Sequence, residues 1–297
     1  MLLGIAVGLL QVYGFFHITV PDFVLPTMIF FMLFFTFLRI SPREMRLYSW
    51  HGIILLFQVV VSLALFYILR ACPLMPAGED NLALAQGVAL CVLMPAATAA
   101  PIVAAKIGGS VLLLTPFTLL SSMVSALLIP VIFPLWNPEA HIPFAECFLL
   151  ILKRVGPMLI LPALVAWTCR LSRRIRSARL VTELPYYLWM GTLVILMFQM
   201  TLSIASYRGS YLILLYMTLG AIATCLLQFY AGKWLGLRYD PVTSLTAGQA
   251  LGQKNTTLGV WLAQTYLIPI SALAPAAYII AQNLFNAIQI ALFQKKH

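Results

Sequence analysis

Two segments interrupt long apolar runs with residues that break membrane helices. The first is MPAATAAP at residues 94–101, in which two prolines stand six positions apart. The second is GQALGQKNTT at residues 248–257, in which two glycines accompany five consecutive polar side chains. Proline removes a backbone donor and clashes with the preceding helical turn, and a charged polar stretch is costly at membrane depth. The two segments therefore predict a pair of helices that are each broken midway.

The composition places both segments in a lipid bilayer. The chain has 297 residues, of which 62% are hydrophobic and 9% are charged, and its mean hydropathy is +0.98. A water-soluble surface cannot be built from that composition. Ten crossings of about 20 residues each would use roughly 200 residues. We therefore expect no soluble catalytic domain.

Ten apolar runs, separated by loops that contain charges, proline or glycine, are predicted to cross the membrane. Runs of this length in lipid must be helical, because hydrocarbon offers no partner to an open backbone. The sequence thus predicts an all-α membrane protein. The runs cover residues 2–16, 23–38, 50–69, 82–105, 111–135, 144–168, 185–206, 211–235, 242–267 and 270–293.

The distribution of basic residues predicts the orientation. Of the 18 Lys and Arg residues, thirteen fall in one set of alternate loops plus the C-terminus, four fall in the opposite set, and Lys254 lies inside a span. Because basic loops stay in the cytoplasm, both termini are predicted to be cytoplasmic, in a protein of the bacterial cytoplasmic membrane. The asymmetry also explains the basic charge without a nucleic-acid partner. The thirteen are Arg39, Arg43, Arg46, Lys106, Arg170, Arg173, Arg174, Arg176, Arg179, Lys233, Arg238, Lys295 and Lys296, and the four are Arg70, Lys153, Arg154 and Arg208.

Ten spans divide into two halves of five, residues 1–138 and 139–297. An odd number of spans in each half turns the second half upside down relative to the first, which predicts inverted repeats. The interrupted span is the fourth in both halves, and matching breaks of this kind indicate a transport site. A plainer interpretation is that the prolines make simple kinks, which membrane helices tolerate. The residues expected to break the helices are Pro95, Pro101, Gly248 and Gly252.

Lys254 is the strongest candidate for a functional residue. An ammonium at the centre of a span costs about 2.5–3.5 kcal/mol on insertion scales, so it is expected to face protein or a water-filled cavity. Either it holds the broken helices together by bonding their freed carbonyl groups, or it binds or is coupled to a substrate. The candidate substrate-binding residues at the two breaks are Thr98, Ala100, Pro101, Thr118, Gln253, Lys254, Asn255 and Thr256.

The chemistry of the breaks favours an anionic ligand. Half-helix N-termini present unpaired N–H groups and the positive end of a helix dipole, and Lys254 adds a positive charge. The predicted partner is a small organic anion with an apolar body. The hydroxyl-bearing run in the fifth span also has a plainer interpretation, close helix packing by small residues. That run consists of Thr118, Ser121, Ser122 and Ser125.

No residue pattern in the spans indicates an enzyme, a metal site or a cofactor. The spans contain no paired carboxylates, no His-x-x-x-His or Glu-x-x-His spacing and no Ser/His pair. The five cysteines are odd in number and widely spaced, so they are interpreted as small core residues. His51 stands at a helix start and is interpreted as an interfacial residue rather than a base.

Several stretches resemble the bile acid:sodium symporter family. Residues 94–101 resemble the Pro-Gly-Gly-Thr crossover of the family's fourth helix, and residues 252–255 resemble the Glu-x-Gly-x-Gln-Asn crossover of its ninth. Residues 32–38 with 42–44 resemble the second helix, and residues 109–130 resemble the fifth, so the resemblance covers most of the chain. It implies ten helices in a panel domain (helices one, two, six and seven) and a core domain (the rest). It also implies alternating access, with substrate held beside the crossing of helices four and nine.

The sequence departs from the family at the positions that the resemblance assigns to sodium. The Ser-Asn ligands correspond to Ala100 and Pro101, and a helix-five Ser ligand corresponds to Leu114. The acidic residue that serves both sodium sites corresponds to Ala250, and the Gln before the Asn corresponds to Lys254. Methyl groups do not ligate a hard cation, whereas one lysine supplies the net charge of two sodium ions and one carboxylate. We therefore expect transport or exchange without sodium.

Two other interpretations fit the same residues. The auxin-efflux-carrier family is similar in its inverted five-helix repeats, which cross at proline-broken helices, and it also has anionic substrates. A protein of a different class, a membrane sensor that binds a ligand without moving it, would also keep the crossing. Each of the three interpretations is compatible with a monomeric protein.

Overall fold

The chain folds into helices joined by short connections. The computed structural model describes residues 2–39, 46–73, 78–137, 143–169 and 179–295, and within these ranges the only extended pairing is a single isolated bridge. The helices are α1 (Leu2–Val12), α2 (Val24–Arg39), α3 (Ser49–Ala71), α4 (Glu79–Leu93), α5 (Ala100–Lys106), α6 (Val111–Leu135), α7 (Phe144–Cys169), α8 (Arg179–Ser206), α9 (Tyr211–Leu237), α10 (Pro241–Gly252), α11 (Thr256–Tyr266), a 3-10 helix (Pro269–Ala272) and α12 (Leu273–Gln294).

Five of these helices are long and apolar enough to cross a membrane. They are α3, α6, α7, α9 and the continuous stretch Pro269–Gln294, as found among the described residues. Shorter apolar helices cover Leu2–Val12, Val24–Phe35 and Met190–Ser206. The prediction of an all-α integral membrane protein is confirmed at this level. The two interrupted segments fall below crossing length because each is divided into two half-helices, α4 with α5 and α10 with α11.

The first helix is shorter than the sequence predicts. Hydropathy suggested residues 2–16, whereas α1 has 11 residues and ends at Val12, just before Gly14 adopts a φ of +82°. At 1.5 Å per residue α1 is about 16 Å long, roughly half of a 30 Å hydrocarbon core. A side chain at Gly4 would meet the carbonyl oxygen of Val194, so α1 lies directly against α8.

The helices form two groups. In the first, the four-helix group, α1 and α2 pack against α7 and α8. In the second, the crossing group, α3, α4, α5 and α6 pack with α9, α10, α11 and α12. The groups meet where α6 packs on α7 and where α11 and the 3-10 helix contact α8. This arrangement leaves a cleft between α11 on one side and α2, α7 and α8 on the other.

Glycines let α9 approach α10 closely. A side chain at Gly232 would meet the carbonyl oxygen of Ala247. A Cβ at Gly236 would lie 2.6 Å from the carbonyl oxygen of Thr243. Glycines four residues apart on one helix face are a common means of close packing in membranes. The contact fixes α10 against an uninterrupted neighbour.

We expect Gly236→Ala to destabilise the protein by about 1–3 kcal/mol, because the added methyl overpacks the α9–α10 contact. The matched control is Gly52→Ala in α3, where an added Cβ meets no atom within 4 Å. That variant should be neutral or stabilising by up to about 1 kcal/mol. Thermal unfolding in detergent, followed by tryptophan fluorescence, measures both. Equal melting temperatures for the two variants would contradict the close contact.

A carboxylate caps α10. Asp240 accepts a hydrogen bond of 2.8 Å from the backbone N–H of Thr243 and one of 2.6 Å from its hydroxyl. These bonds to the Thr243 side chain and backbone hold the pKa of Asp240 below its ordinary value. A lowered carboxyl pKa contributes stability above the unfolded pKa, and that contribution is lost as the pH falls through the folded pKa.

We expect Asp240→Asn to flatten the acid side of the stability profile. Between about pH 5 and pH 3, the window below and around an ordinary Asp pKa, the melting temperature of the unmodified protein should fall more than that of the variant. The control is Glu146→Gln, which removes an exposed carboxylate in α7. Parallel profiles for the unmodified protein and Asp240→Asn would show that the cap does not titrate as described.

Candidate functional site: the crossing of two broken helices

The broken helices meet at a short antiparallel pairing of extended backbone. After α4 ends at Leu93 and α10 ends at Gly252, the chain is extended, and Ala96 pairs with Lys254. The N–H of Ala97 donates to the carbonyl of Gln253 at 2.8 Å, and the N–H of Asn255 donates to the carbonyl of Pro95 at 2.8 Å. Each segment therefore gives one carbonyl to the other and receives one N–H from it.

Side chains from neighbouring helices bind the two central N–H groups. The N–H of Ala96 donates to Ser121 Oγ of α6 at 3.0 Å, and the N–H of Lys254 donates to Gln282 Oε1 of α12 at 3.0 Å. From the sequence, Ser121 was interpreted as a packing residue and Gln282 was not singled out. The available signal was a polar residue in an apolar span, which does not identify its partner.

Other polar side chains bind the carbonyl groups that the breaks set free. Gln58 of α3 donates to the carbonyls of Leu93 at 2.6 Å and Met94 at 3.1 Å. Tyr278 of α12 donates to the carbonyl of Gly252 at 2.7 Å. The alternative in which Lys254 bonds these carbonyls is not met, because Gln58 and Tyr278 bind them.

The side chain of Lys254 is enclosed in protein. Lys254 is 1% exposed, and its Nζ has no hydrogen-bond partner among the residues that the structure describes. The buried Cys91 thiol of α4 lies within electrostatic range of the amine, whereas no described carboxylate does. The amide oxygens of Gln249 and Gln253 are likewise buried without a partner in the described part of the chain. The Gln58 amide oxygen is also buried without a partner there, so the crossing contains one unpartnered amine and three unpartnered amide oxygens among the described residues.

The remaining predicted binding residues occupy different positions around the crossing. Asn255 caps α11, because its Oδ1 accepts from the N–H of Leu258 at 3.2 Å. Thr256 is buried and its hydroxyl lies 3.5 Å from Gln282 Nε2. Thr118 donates back to the carbonyl of Thr115 in its own helix at 2.8 Å, and Thr98 is half-buried between α4 and α5.

The residues expected to break the helices have unlike roles. Pro95 lies in the extended segment, and Gly252 is the last residue of α10. Pro101, with the buried Ala100 before it, lies in the first turn of α5, where proline is compatible with a helix start. Gly248 lies inside α10 and does not break it, contrary to the expectation. Its lack of a side chain instead leaves room for the stem of Lys233 on α9.

A cavity of about 730 Å³ lies in the cleft between the two helix groups, apart from the crossing. Gln199 and Ser203 of α8 line one side, and Trp261 and Gln264 of α11 line the other, with Asp22 at the start of α2. Among the described residues, none of those at the crossing and no Lys or Arg lines this cavity. Its size is that of a small-molecule site. Sequence reasoning missed it because its walls come from four separate helices.

A second cavity of about 600 Å³ continues from the first, since both are lined by Leu202, Ser203 and Pro269. Asp80 lies in its wall and accepts a bond of 2.5 Å from the Tyr207 hydroxyl and one of 3.1 Å from the Ser210 N–H. Burial, with added effects from Asp80, raises the pKa of Tyr207. The two hydrogen bonds to Asp80 hold the α8–α9 connection against the start of α4.

Comparison with known proteins finds no match, either among protein-family models or among curated sequences. The resemblance to the bile acid:sodium symporter family therefore rests only on the residues quoted above and stays a prediction.

We expect Ser121→Ala to destabilise the protein by about 1–3 kcal/mol, because the buried N–H of Ala96 then lacks an acceptor. Ser122→Ala is the matched control, since its equally buried hydroxyl donates only to Thr118 of the same helix. The melting temperature of the Ser121 variant should be clearly the lower of the two. If both variants melted together, Ser121 would not support the crossing.

Proposed function

We propose that the chain is a sodium-independent secondary transporter of a small organic anion. In this proposal Lys254 supplies the positive charge that coupling ions supply in the bile acid:sodium symporter family. The observation that carries the proposal is a buried, unpartnered amine at the crossing of two broken helices. Buried ionisable residues inside membranes are costly and are retained mainly for function.

The proposed architecture is two inverted five-helix repeats, residues 1–138 and 139–297. Each half contributes its fourth segment to the crossing, and the two segments exchange equivalent backbone bonds. The two central N–H groups also have equivalent acceptors, from α6 in one half and α12 in the other. The four-helix group corresponds to the panel domain that the resemblance implies, and the crossing group corresponds to the core domain.

Transport by alternating access would then move one helix group against the other. With both termini in the cytoplasm, the cleft that contains the 730 Å³ cavity faces outward, because the starts of α2 and α4 and the end of α8 lie on the outer side. The side-chain amides of Gln199 and Gln264 can donate hydrogen bonds to an anion, and Trp261 offers an apolar face. This cavity is the proposed site at which substrate first binds.

The charge at the crossing favours a singly charged substrate. Ala250 is fully buried where the family has its acidic residue, so its methyl group cannot offset the lysine. One lysine can neutralise one negative charge, and a buried pair is stable only when both partners are present. A second anionic group would be left without a partner.

A non-transporting sensor is the second candidate, and one observation favours it. The 730 Å³ cavity lies apart from the crossing, and the buried Lys254 lines neither this cavity nor the 600 Å³ one. A protein that binds anions only in the 730 Å³ cavity would be compatible with that separation. Measurement of flux separates the two functions.

The test is uptake into proteoliposomes, screened with radiolabelled carboxylates and sulfated steroids. We expect uptake that is unchanged when potassium replaces sodium. Lys254→Met should reduce it by about 100-fold or more, since removal of one partner of a buried charge pair costs about 3–5 kcal/mol. Lys106→Met, which removes an exposed lysine at the end of α5, is the control and should transport normally.

Three results would contradict the proposal. Uptake that requires sodium would mean that a cation site exists elsewhere. Normal uptake by Lys254→Met would leave the lysine with a structural role only. Saturable binding without flux would favour the sensor.

A further inference from the structure

The amine of Lys254 lacks a counter-ion in the described part of the chain. The titratable groups that surround it are the Cys91 thiol of α4 and, close to Cys91, the Cys225 thiol of α9 and the Tyr278 hydroxyl of α12. Tyr278 is already bonded to Gly252 and Gln228. α6, α10 and α11 direct no described charged side chain toward the amine.

The described carboxylates lie elsewhere. Asp22 and Asp80 line the outer cavities at the ends of helices, Glu79 begins α4, and Asp240 caps α10. Glu146 lies in the first turn of α7. Because none of these lies at the crossing, no side chain described there neutralises an ammonium on Lys254.

An isolated ammonium in this position is unfavourable. Burial of a charge in a medium of low dielectric constant is costly even after the protein relaxes. A neutral amine in the same place lacks only a hydrogen bond, which is a smaller cost. This enclosed arrangement is therefore compatible with an uncharged amine and opposes a charged one.

An arriving anion reverses this preference. A negative charge beside Nζ supplies the missing counter-ion, so the protonated amine becomes the favoured form while the anion remains. When the anion leaves, the ammonium is again without a partner. Binding of the anion and binding of the proton to Lys254 are therefore coupled. Each makes the other more favourable by the same free energy.

From this geometry, and resting on the proposed function, we infer that the chain carries one proton with each anion and that the proton is bound on Nζ of Lys254. The step is R–NH₂ + H⁺ → R–NH₃⁺, and no covalent bond to the anion forms. On release the amine returns the proton on the side where the anion leaves. For a singly charged anion, each cycle therefore moves no net charge.

A proton fits this crossing better than a metal cation does. The unpartnered oxygens of Gln249 and Gln253 are neutral amides, and sodium-sized cations generally need several oxygen ligands around an adequate space. A proton needs only a basic lone pair, which an uncharged Lys254 provides.

The first experiment tests proton binding without any substrate. Melting temperature is measured from pH 6 to pH 9 in detergent for the unmodified protein, Lys254→Met, Lys254→Gln and the control Lys106→Met. If folding removes a proton from Lys254, the unfolded state binds one more proton, and stability rises with pH. The unfolding equilibrium constant of the unmodified protein and of Lys106→Met should fall by up to about tenfold more per pH unit than that of either Lys254 variant. Parallel curves for all four proteins would overturn the inference.

The second experiment measures the proton that accompanies the anion. Proteoliposomes that enclose a pH-sensitive dye are given estrone sulfate, whose sulfate stays ionised over this pH range and so cannot carry the proton itself. Uptake should acidify the lumen, accelerate when the lumen is made alkaline, and be insensitive to a potassium diffusion potential. Lys254→Gln should abolish both the acidification and the uptake.

The two experiments separate failure of the inference from failure of the proposed function. Uptake of estrone sulfate with no acidification and no effect of a pH gradient would overturn proton coupling while transport stands. A pH-dependent stability difference at Lys254 with no uptake of any anion in the screen would overturn the transport proposal, while the proton on Lys254 stands.

Discussion

Backbone groups left open where α4 and α10 end must find partners inside the protein, because lipid offers none. The crossing meets this constraint by exchange, since each extended segment gives a carbonyl to the other and receives an N–H. Ser121 of α6 and Gln282 of α12 then bind the two remaining central N–H groups. Because these partners come from different helices, neither break can be tolerated until the crossing group has assembled around both.

Since other side chains bind the open backbone groups, the need to bond freed carbonyls does not explain the presence of Lys254. The freed carbonyls are bonded by Gln58 and Tyr278, so the breaks do not depend on the lysine side chain. Its backbone takes part in the crossing, but any residue other than proline could supply the same N–H and carbonyl. A buried amine that the local structure does not need is a cost to stability, and costs of this kind are concentrated at functional sites.

The sequence predicts what depends on local properties. Helix positions follow from hydropathy, and the breaks follow from proline and from a polar run. Most helix bounds and both interruptions could therefore be predicted from the sequence. The hydrogen-bond partners could not be predicted, because a polar residue in an apolar span, such as Gln282 or Tyr278, shows which helix carries it but not which helix receives its bond. Gly248 was wrongly predicted to break a helix, because glycine weakens isolated helices. In the structure Gly248 lies inside α10, where its lack of a side chain permits close packing against α9. The 730 Å³ cavity could not be predicted, because side chains distant in sequence form it.

The half-helix α11 joins the two places where chemistry is proposed. It begins immediately after the crossing, where Asn255 caps its first turn, and its Trp261 and Gln264 form one wall of the 730 Å³ cavity. Its other neighbours include the 3-10 helix that follows it and, across the cleft between the two groups, α8. A ligand that moves this wall relative to α8 would therefore also displace the segment that holds Lys254. Since a packed interior does not deform continuously, the displacement would exchange one enclosed arrangement of the amine for another, which is the physical requirement for coupling a distant binding site to a buried charge.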